Sequence, residues 1–273
     1  MRRKKRDIHS KRIRQVTHTL SPIAFSVAGF DVRWYGLMYL AGFLLGWILG
    51  RYRAKRLYSN WNTTDVDDLL TFAMLGVIVG GRIGYILFYD LAVYIQDPSE
   101  ILRIWNGGMS FHGGLLGVLC AFFYFSRSRH RPFLEVADFV APLVPQAIFF
   151  GRIGNFINGE LWGKTSDLPW AIIFPQGGPY PRHPSQLYEA FLEGILLFII
   201  LLLFARKRRP NGQISGLFAV GYAVFRFLVE FIRVPDQQLG YLAFGWLTMG
   251  QLLCLPLFGI GLWLLLKKQP GTF

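Results

Sequence analysis

Charge is scarce in this 273-residue chain: Asp, Glu, Lys and Arg make up 16% of it, against about 25% in an ordinary soluble domain. Acidic residues are scarcer still, 16 against 29 basic ones, which leaves a formal net charge of +13. The two cysteines, Cys120 and Cys254, lie inside apolar runs. They suggest neither a disulfide, nor a metal-ligand spacing, nor a catalytic thiol. Nucleotide-binding loops, zincin motifs and nucleophile elbows are absent. Apolar residues, by contrast, are abundant: 53% of the chain is hydrophobic and 16% aromatic, with a mean hydropathy of +0.36. Such a composition excludes a disordered chain, a coiled coil and an ordinary soluble core. It describes an all-α polytopic membrane protein.

The positive charge is not laid out for nucleic acid. Eight basic residues crowd into positions 1–15, and most of the others form short clusters between apolar runs. Basic residues in such places set membrane orientation. Taking about 20 apolar residues per crossing, the pattern predicts seven spans: 35–50, 69–89, 110–126, 133–152, 187–205, 214–232 and 246–266. Segments 51–56, 127–131, 206–209 and 267–268 carry thirteen basic residues, while 90–109, 152–186 and 233–245 carry five. The excess marks the cytoplasmic side, so the C-terminus is expected inside and the N-terminus outside. Residues 1–15 oppose that rule. They are expected to be a basic extension that loops back or reflects an upstream start, and residues 16–273 a single membrane domain. Loop 153–186, rich in proline and glycine, is too long for a plain connection and suggests a functional outer segment.

Ionisable residues inside spans are costly and usually face a cavity, a partner or a substrate path. Here they include Arg82, His112, Asp138, Arg152, Glu189, Glu193, Arg226 and Glu230, mostly near the outer ends of the expected spans. Each alone could be interhelical glue; as a group they imply a polar cavity in the outer half of the membrane. Gly81-Arg82-Ile83-Gly84 recurs as Gly151-Arg152-Ile153-Gly154, which glycine packing with a snorkelling arginine would also explain. If helix continues past Arg152, then Arg152, Asn155 and Gly159 share a face. A guanidinium and an amide presented together suit a phosphate. Arg226 stands four residues from Tyr222 and from Glu230, and Glu230 three from Arg233, so Glu230 reads as an orienting partner or as a plain salt bridge. His112 could accept a thiol proton or could cap a helix. Ser185 could cap the fifth span as well as bind anything. Together these residues describe an outward-facing, arginine-rich pocket for a phosphate-bearing amphiphile such as a phospholipid.

The segment Gly151–Gly163 closely resembles the signature of the prolipoprotein diacylglyceryl transferases, a bacterial inner-membrane family. Trp34-Tyr35-Gly36-Leu37-Met38-Tyr39, Phe111-His112-Gly113-Gly114-Leu115, Arg182-His183-Pro184-Ser185-Gln186-Leu187-Tyr188-Glu189 and Glu230-Phe231-Ile232-Arg233-Val234-Pro235-Asp236 are similar to its other blocks, in its order, across about residues 20–266. The resemblance implies transfer of the diacylglyceryl group of phosphatidylglycerol to the thiol of a prolipoprotein's lipobox cysteine, giving a thioether and glycerol phosphate. It also implies seven helices with a small periplasmic head and arm, N-terminus outside, an active site toward the periplasm, and no metal or organic cofactor. On that basis Arg152 and Arg226 are expected on the phosphate, with His112 as the candidate base for the thiol, the alternative being a thiol activated by arginine with no dedicated base. Tyr35, Asn155, Glu160, Gly163 and Tyr222 would bind the headgroup, and Glu230 and Arg233 would hold the sixth helix in register. A transporter or flippase for an anionic lipid or organophosphate would share the charged pocket, and a non-catalytic scaffold would share only the spans.

Overall fold

The computed structural model describes residues 16–27, 29–56, 60–103, 107–235 and 240–267; the basic head at 1–15 and Asp236 lie outside the described residues. Seven long helical segments stand where spans are expected: α1 (Trp34–Arg56), α2 (Thr63–Phe88), α4 (Phe111–Ser128), a segment made of α5 (Phe133–Val140) and α6 (Val144–Asn158), another made of α7 (Ser185–Glu189) and α8 (Leu197–Phe204), then α9 (Gln213–Glu230) and α10 (Met249–Leu266). Between α2 and α4 lies the short α3 (Leu91–Gln96). Five of the seven are long and apolar enough to cross a membrane, namely α2, Phe133–Asn158, Ser185–Phe204, α9 and α10. In α1 and α4, glycines, Tyr or His near the start and basic residues at the end dilute the apolar run.

Most boundaries follow local chemistry. Asn62 and Thr248 form capping boxes with Asp65 and Gln251 at the starts of α2 and α10, which satisfies amides that have no partner within a helix. The seventh helix therefore begins at Met249, three residues later than expected. The fourth runs six residues beyond 152, to Asn158, where Gly159 takes the left-handed conformation (φ +65°) that ends it. Loop 153–186 accordingly starts with helix, and Gly159 closes the face of Arg152 and Asn155 rather than extending it.

Helix pairing is set by small residues. Gly76, Gly80 and Gly84 of α2 interleave with Gly113 and Gly117 of α4; a Cβ at Gly76 would stand 2.6 Å from the Gly117 carbonyl oxygen, and one at Gly84 2.6 Å from Gly113 Cα. Backbones this close exclude any larger side chain. Gly80→Val should therefore lower the thermal midpoint in detergent by about 10 °C or more, because the clash is with backbone that cannot move aside. Wild-type melting behaviour would overturn this packing.

At the opposite end from the Gly159 cap, Asp138 fixes α9 from outside. Its carboxylate accepts from Gly212 N at 2.7 Å, Ser215 N at 2.7 Å and Ser215 Oγ at 2.5 Å. It thus caps a helix that has no side-chain cap of its own. Two small sheets complete the fold. Strands β2 (Ile23–Val27) and β3 (Phe30–Arg33) form a hairpin that leads directly into α1. Strand β1 (Val16–Thr17) lies parallel to β4 (Ile172–Ile173), which pairs antiparallel with β5 (Pro181–Arg182).

Candidate active site

The two Gly-Arg-Ile-Gly copies do different work. Arg82 is buried and does not snorkel: its guanidinium donates to the backbone carbonyls of Glu100, Ile101, Arg103, Gly107 and Gly108, clasping the segment between α3 and α4. Arg152 instead meets carboxylates. Its Nε lies 2.9 Å from Glu189 Oε2 and its Nη2 3.4 Å from Glu193 Oε2.

From α9, Arg226 reaches the same carboxylate. Its Nη1 is 2.6 Å from Glu189 Oε1, and its Nη2 is 2.9 Å from Glu230 Oε2 one turn along. Arg233 Nη1 comes within 3.1 Å of Glu189 Oε1 and its Nε within 3.9 Å of Glu230 Oε2. Glu189 is therefore the hub of a cluster of three arginines and three glutamates. Glu189 and Glu193 are fully buried, and Glu230 and Arg233 nearly so. Charges so removed from water persist only if their partners are well placed. The residues expected to line an open polar cavity are thus largely paired with one another. Tyr222, on the same face of α9, lies within electrostatic range of Glu193, Arg226, Arg152 and Glu189.

A second group adjoins Arg152 along α6. Asn155 and Asn158 both donate to Glu160 Oε1, at 2.8 and 3.3 Å. Tyr35 lies near Asn155 and Glu160 and contacts the Tyr39 hydroxyl at 3.2 Å. Gly154 makes room for the Tyr35 ring, since a Cβ there would meet Tyr35 Cδ2 at 2.9 Å. The next turn of chain is held from α7: Gln186 Nε2 donates to Glu160 O at 2.5 Å and Ser185 Oγ to Leu161 O at 2.9 Å. Ser185 therefore ties down a loop and does not cap its own helix. Leu161 sits at φ +58°, a strained conformation that its surroundings must enforce.

Gly163 marks the junction of three segments. Its amide donates to His183 O at 2.8 Å, it bridges to Arg233, and a Cβ would stand 2.7 Å from both His183 Cβ and Ile232 O. The imidazole of His183 contacts the Tyr188 hydroxyl at 3.3 Å, and Trp170 Nε1 donates to that hydroxyl at 2.7 Å. Partial burial holds His183 below the ordinary histidine range, which favours the neutral ring in this contact.

The charge, amide and phenol groups of the site are spread over α1, α6, α7 and α9. The model of the prolipoprotein diacylglyceryl transferase family matches residues 22–267. The chain belongs to this family. It is 63% identical over 250 residues to a phosphatidylglycerol–prolipoprotein diacylglyceryl transferase of Nitratidesulfovibrio vulgaris, covering 92% of this chain and 94% of that one. A protein of the same name from Methylococcus capsulatus is 59% identical over 88% of this chain and 93% of its own length. One from Pseudomonas aeruginosa is 55% identical over 89% and 91%.

Within this family member, Arg152, Arg226, Tyr222, Glu230 and Arg233 come together, with Tyr35, Asn155 and Glu160 alongside. His112 is not brought to them by any contact among the described residues. It is exposed in the first turn of α4, where Ser110 provides the cap and the Phe111 ring stands edge-on to it. Glu189 and Glu193 carry the cluster as much as the arginines do, yet the sequence marks them only as ionisable residues within a span. The available signal was their i,i+4 spacing in an apolar helix. No group of three or more His, Cys, Asp or Glu suited to a metal occurs among the described residues.

Proposed function

We propose that this chain transfers the diacylglyceryl group from phosphatidylglycerol to the lipobox cysteine thiol of prolipoproteins, forming a thioether and releasing glycerol phosphate. The observation that carries the site assignment is the sharing of Glu189 between Arg152 and Arg226, which holds two guanidiniums from different helices side by side. Two such forks match a phosphate ester. They also stabilise the charge that grows on the leaving oxygen as the thiolate attacks the glyceryl carbon. Asn155, Glu160, Tyr35 and Tyr222 position the headgroup, Gly163 shapes the loop beside it, and Glu230 and Arg233 hold the end of α9. His112, exposed and separate, serves as base only if the incoming peptide brings the thiol to it.

All seven long helices cross the bacterial inner membrane in this reading, with the C-terminus inside and the head and arm on the periplasmic side. The thirteen basic residues of the four short connections support that orientation. Residues 16–273 form one transferase domain, with 1–15 a basic extension. The test is incubation of the purified protein with phosphatidylglycerol and a lipobox peptide. A diacylglyceryl mass gain on the cysteine peptide, absent from a Cys→Ser peptide, is the expected result. No gain while the lipid still binds would overturn the transferase reading.

A further inference from the structure

Glu193 is the least engaged carboxylate of the cluster. Glu189 meets three guanidiniums at 2.6–3.1 Å, and Glu230 meets Arg226 at 2.9 Å. Glu193 meets one, Arg152 Nη2 at 3.4 Å; its Oε1 has no hydrogen-bond partner although the side chain is fully buried, and Glu189 Oε2 and Glu230 Oε2, which also lack an aligned hydrogen bond, each stand 2.9 Å from a guanidinium nitrogen. A buried carboxylate oxygen without a donor is costly, so its position needs another reason. The backbone beneath it is unusual too. Residues Ala190–Leu196, between α7 and α8, form a π-helical turn, a geometry often found where function overrides regular helix. Next to it, Gly194 lets the helix lie directly on Phe149 of α6, where a Cβ would approach Phe149 Cβ to 2.7 Å.

The groups that face Glu193 are Glu189 on its own helical segment, Arg152 from α6, Tyr222 and Arg226 from α9, and Cys254 from α10. Counted with all six side chains charged, the cluster is formally balanced, three cations against three anions. An entering phosphodiester would add an uncompensated negative charge in a space shielded from water, which is strongly unfavourable.

We propose that Glu193 is the proton-accepting residue of the anion site: it takes up one proton as an anionic phosphate ester binds among Arg152, Arg226 and Arg233, and so keeps the cluster in charge balance. The inference rests on the assignment of this cluster to the lipid phosphate. The proton comes from solution, joins a Glu193 oxygen and returns when the anion leaves, with no other bond made or broken. It acts through the charge of the arginines and is a positioning residue.

The experiment titrates the purified full-length protein with dioctanoyl-phosphatidylglycerol by calorimetry, in two buffers of different ionisation enthalpy, between pH 6 and 8. The wild type is expected to take up an increasing fraction of a proton per lipid from pH 6 upward, approaching one toward pH 8, with affinity falling by up to tenfold per pH unit as pH rises. Glu193→Gln, which mimics the protonated side chain, should bind with no uptake and little pH dependence, and Glu193→Asp should restore uptake. Binding by the wild type without proton uptake, or uptake retained in Glu193→Gln, would overturn the inference and leave the phosphate site standing. Undiminished binding in Arg226→Ala would show instead that the lipid lies elsewhere, which removes both. The wild-type measurement decides the question even if a variant fails to fold.

Discussion

Glu189→Ala should abolish transfer, by at least a thousandfold, and should also destabilise the protein. One carboxylate answers three guanidiniums, so its loss takes a partner from Arg152, Arg226 and Arg233 at once in a largely buried region. Removing one partner of a single buried pair costs about 3–5 kcal/mol, and Glu193 and Glu230 are the carboxylates of the cluster that would remain. The arginines would repel one another and lose their common alignment. Activity and thermal midpoint should therefore fall together. Glu189→Gln separates the two effects, since the amide can still accept a hydrogen bond but no longer offers a charge. It should fold better than the alanine variant and remain nearly inactive. An active Glu189→Ala protein would mean that the cluster is not needed for chemistry.

Arg152→Lys and Arg226→Lys should each reduce turnover by about 10²–10³, the range seen when one preorganised donor to a developing anion is removed. The charge survives in both variants, so stability should change less than in Glu189→Ala. What is lost is the fork. Arg152 uses Nε and Nη2 on Glu189 and Glu193, and Arg226 uses Nη1 and Nη2 on Glu189 and Glu230; an ammonium cannot span such pairs while also facing a phosphate. The measurement is turnover in the lipobox-peptide assay at saturating lipid. Variants with wild-type turnover and only weaker lipid binding would assign the arginines to affinity and not to the transition state.

The helical plan is legible in the sequence because hydropathy and basic clusters act over whole segments. All seven expected spans coincide with long helices, although only five are apolar enough to stand as membrane crossings on that property alone. The errors fall at ends, where single residues decide: Gly159 prolongs the fourth helix by placing its stop late, and the Thr248–Gln251 box delays the seventh. The stripe of Tyr222, Arg226, Glu230 and Arg233 is readable from spacing within one helix. Partnerships between helices are not. Nothing local distinguishes Arg82, which clasps carbonyls, from Arg152, which meets glutamates, because the two lie in identical tetrapeptides and differ only in what packs opposite. For the same reason Glu189 was visible as a misplaced charge but not as the hub.

The chain order of the cluster bears on how the protein is made. Along the sequence its members appear as Arg152, Glu189, Glu193, Arg226, Glu230 and Arg233. As synthesis proceeds, each residue that enters the buried group alters its running formal charge by one unit. The total passes through plus one, zero, minus one, zero, minus one and zero. A nascent chain therefore never has to shelter more than a single unmatched charge at this site, and the group reaches neutrality as the last arginine, just beyond α9, follows that helix into place.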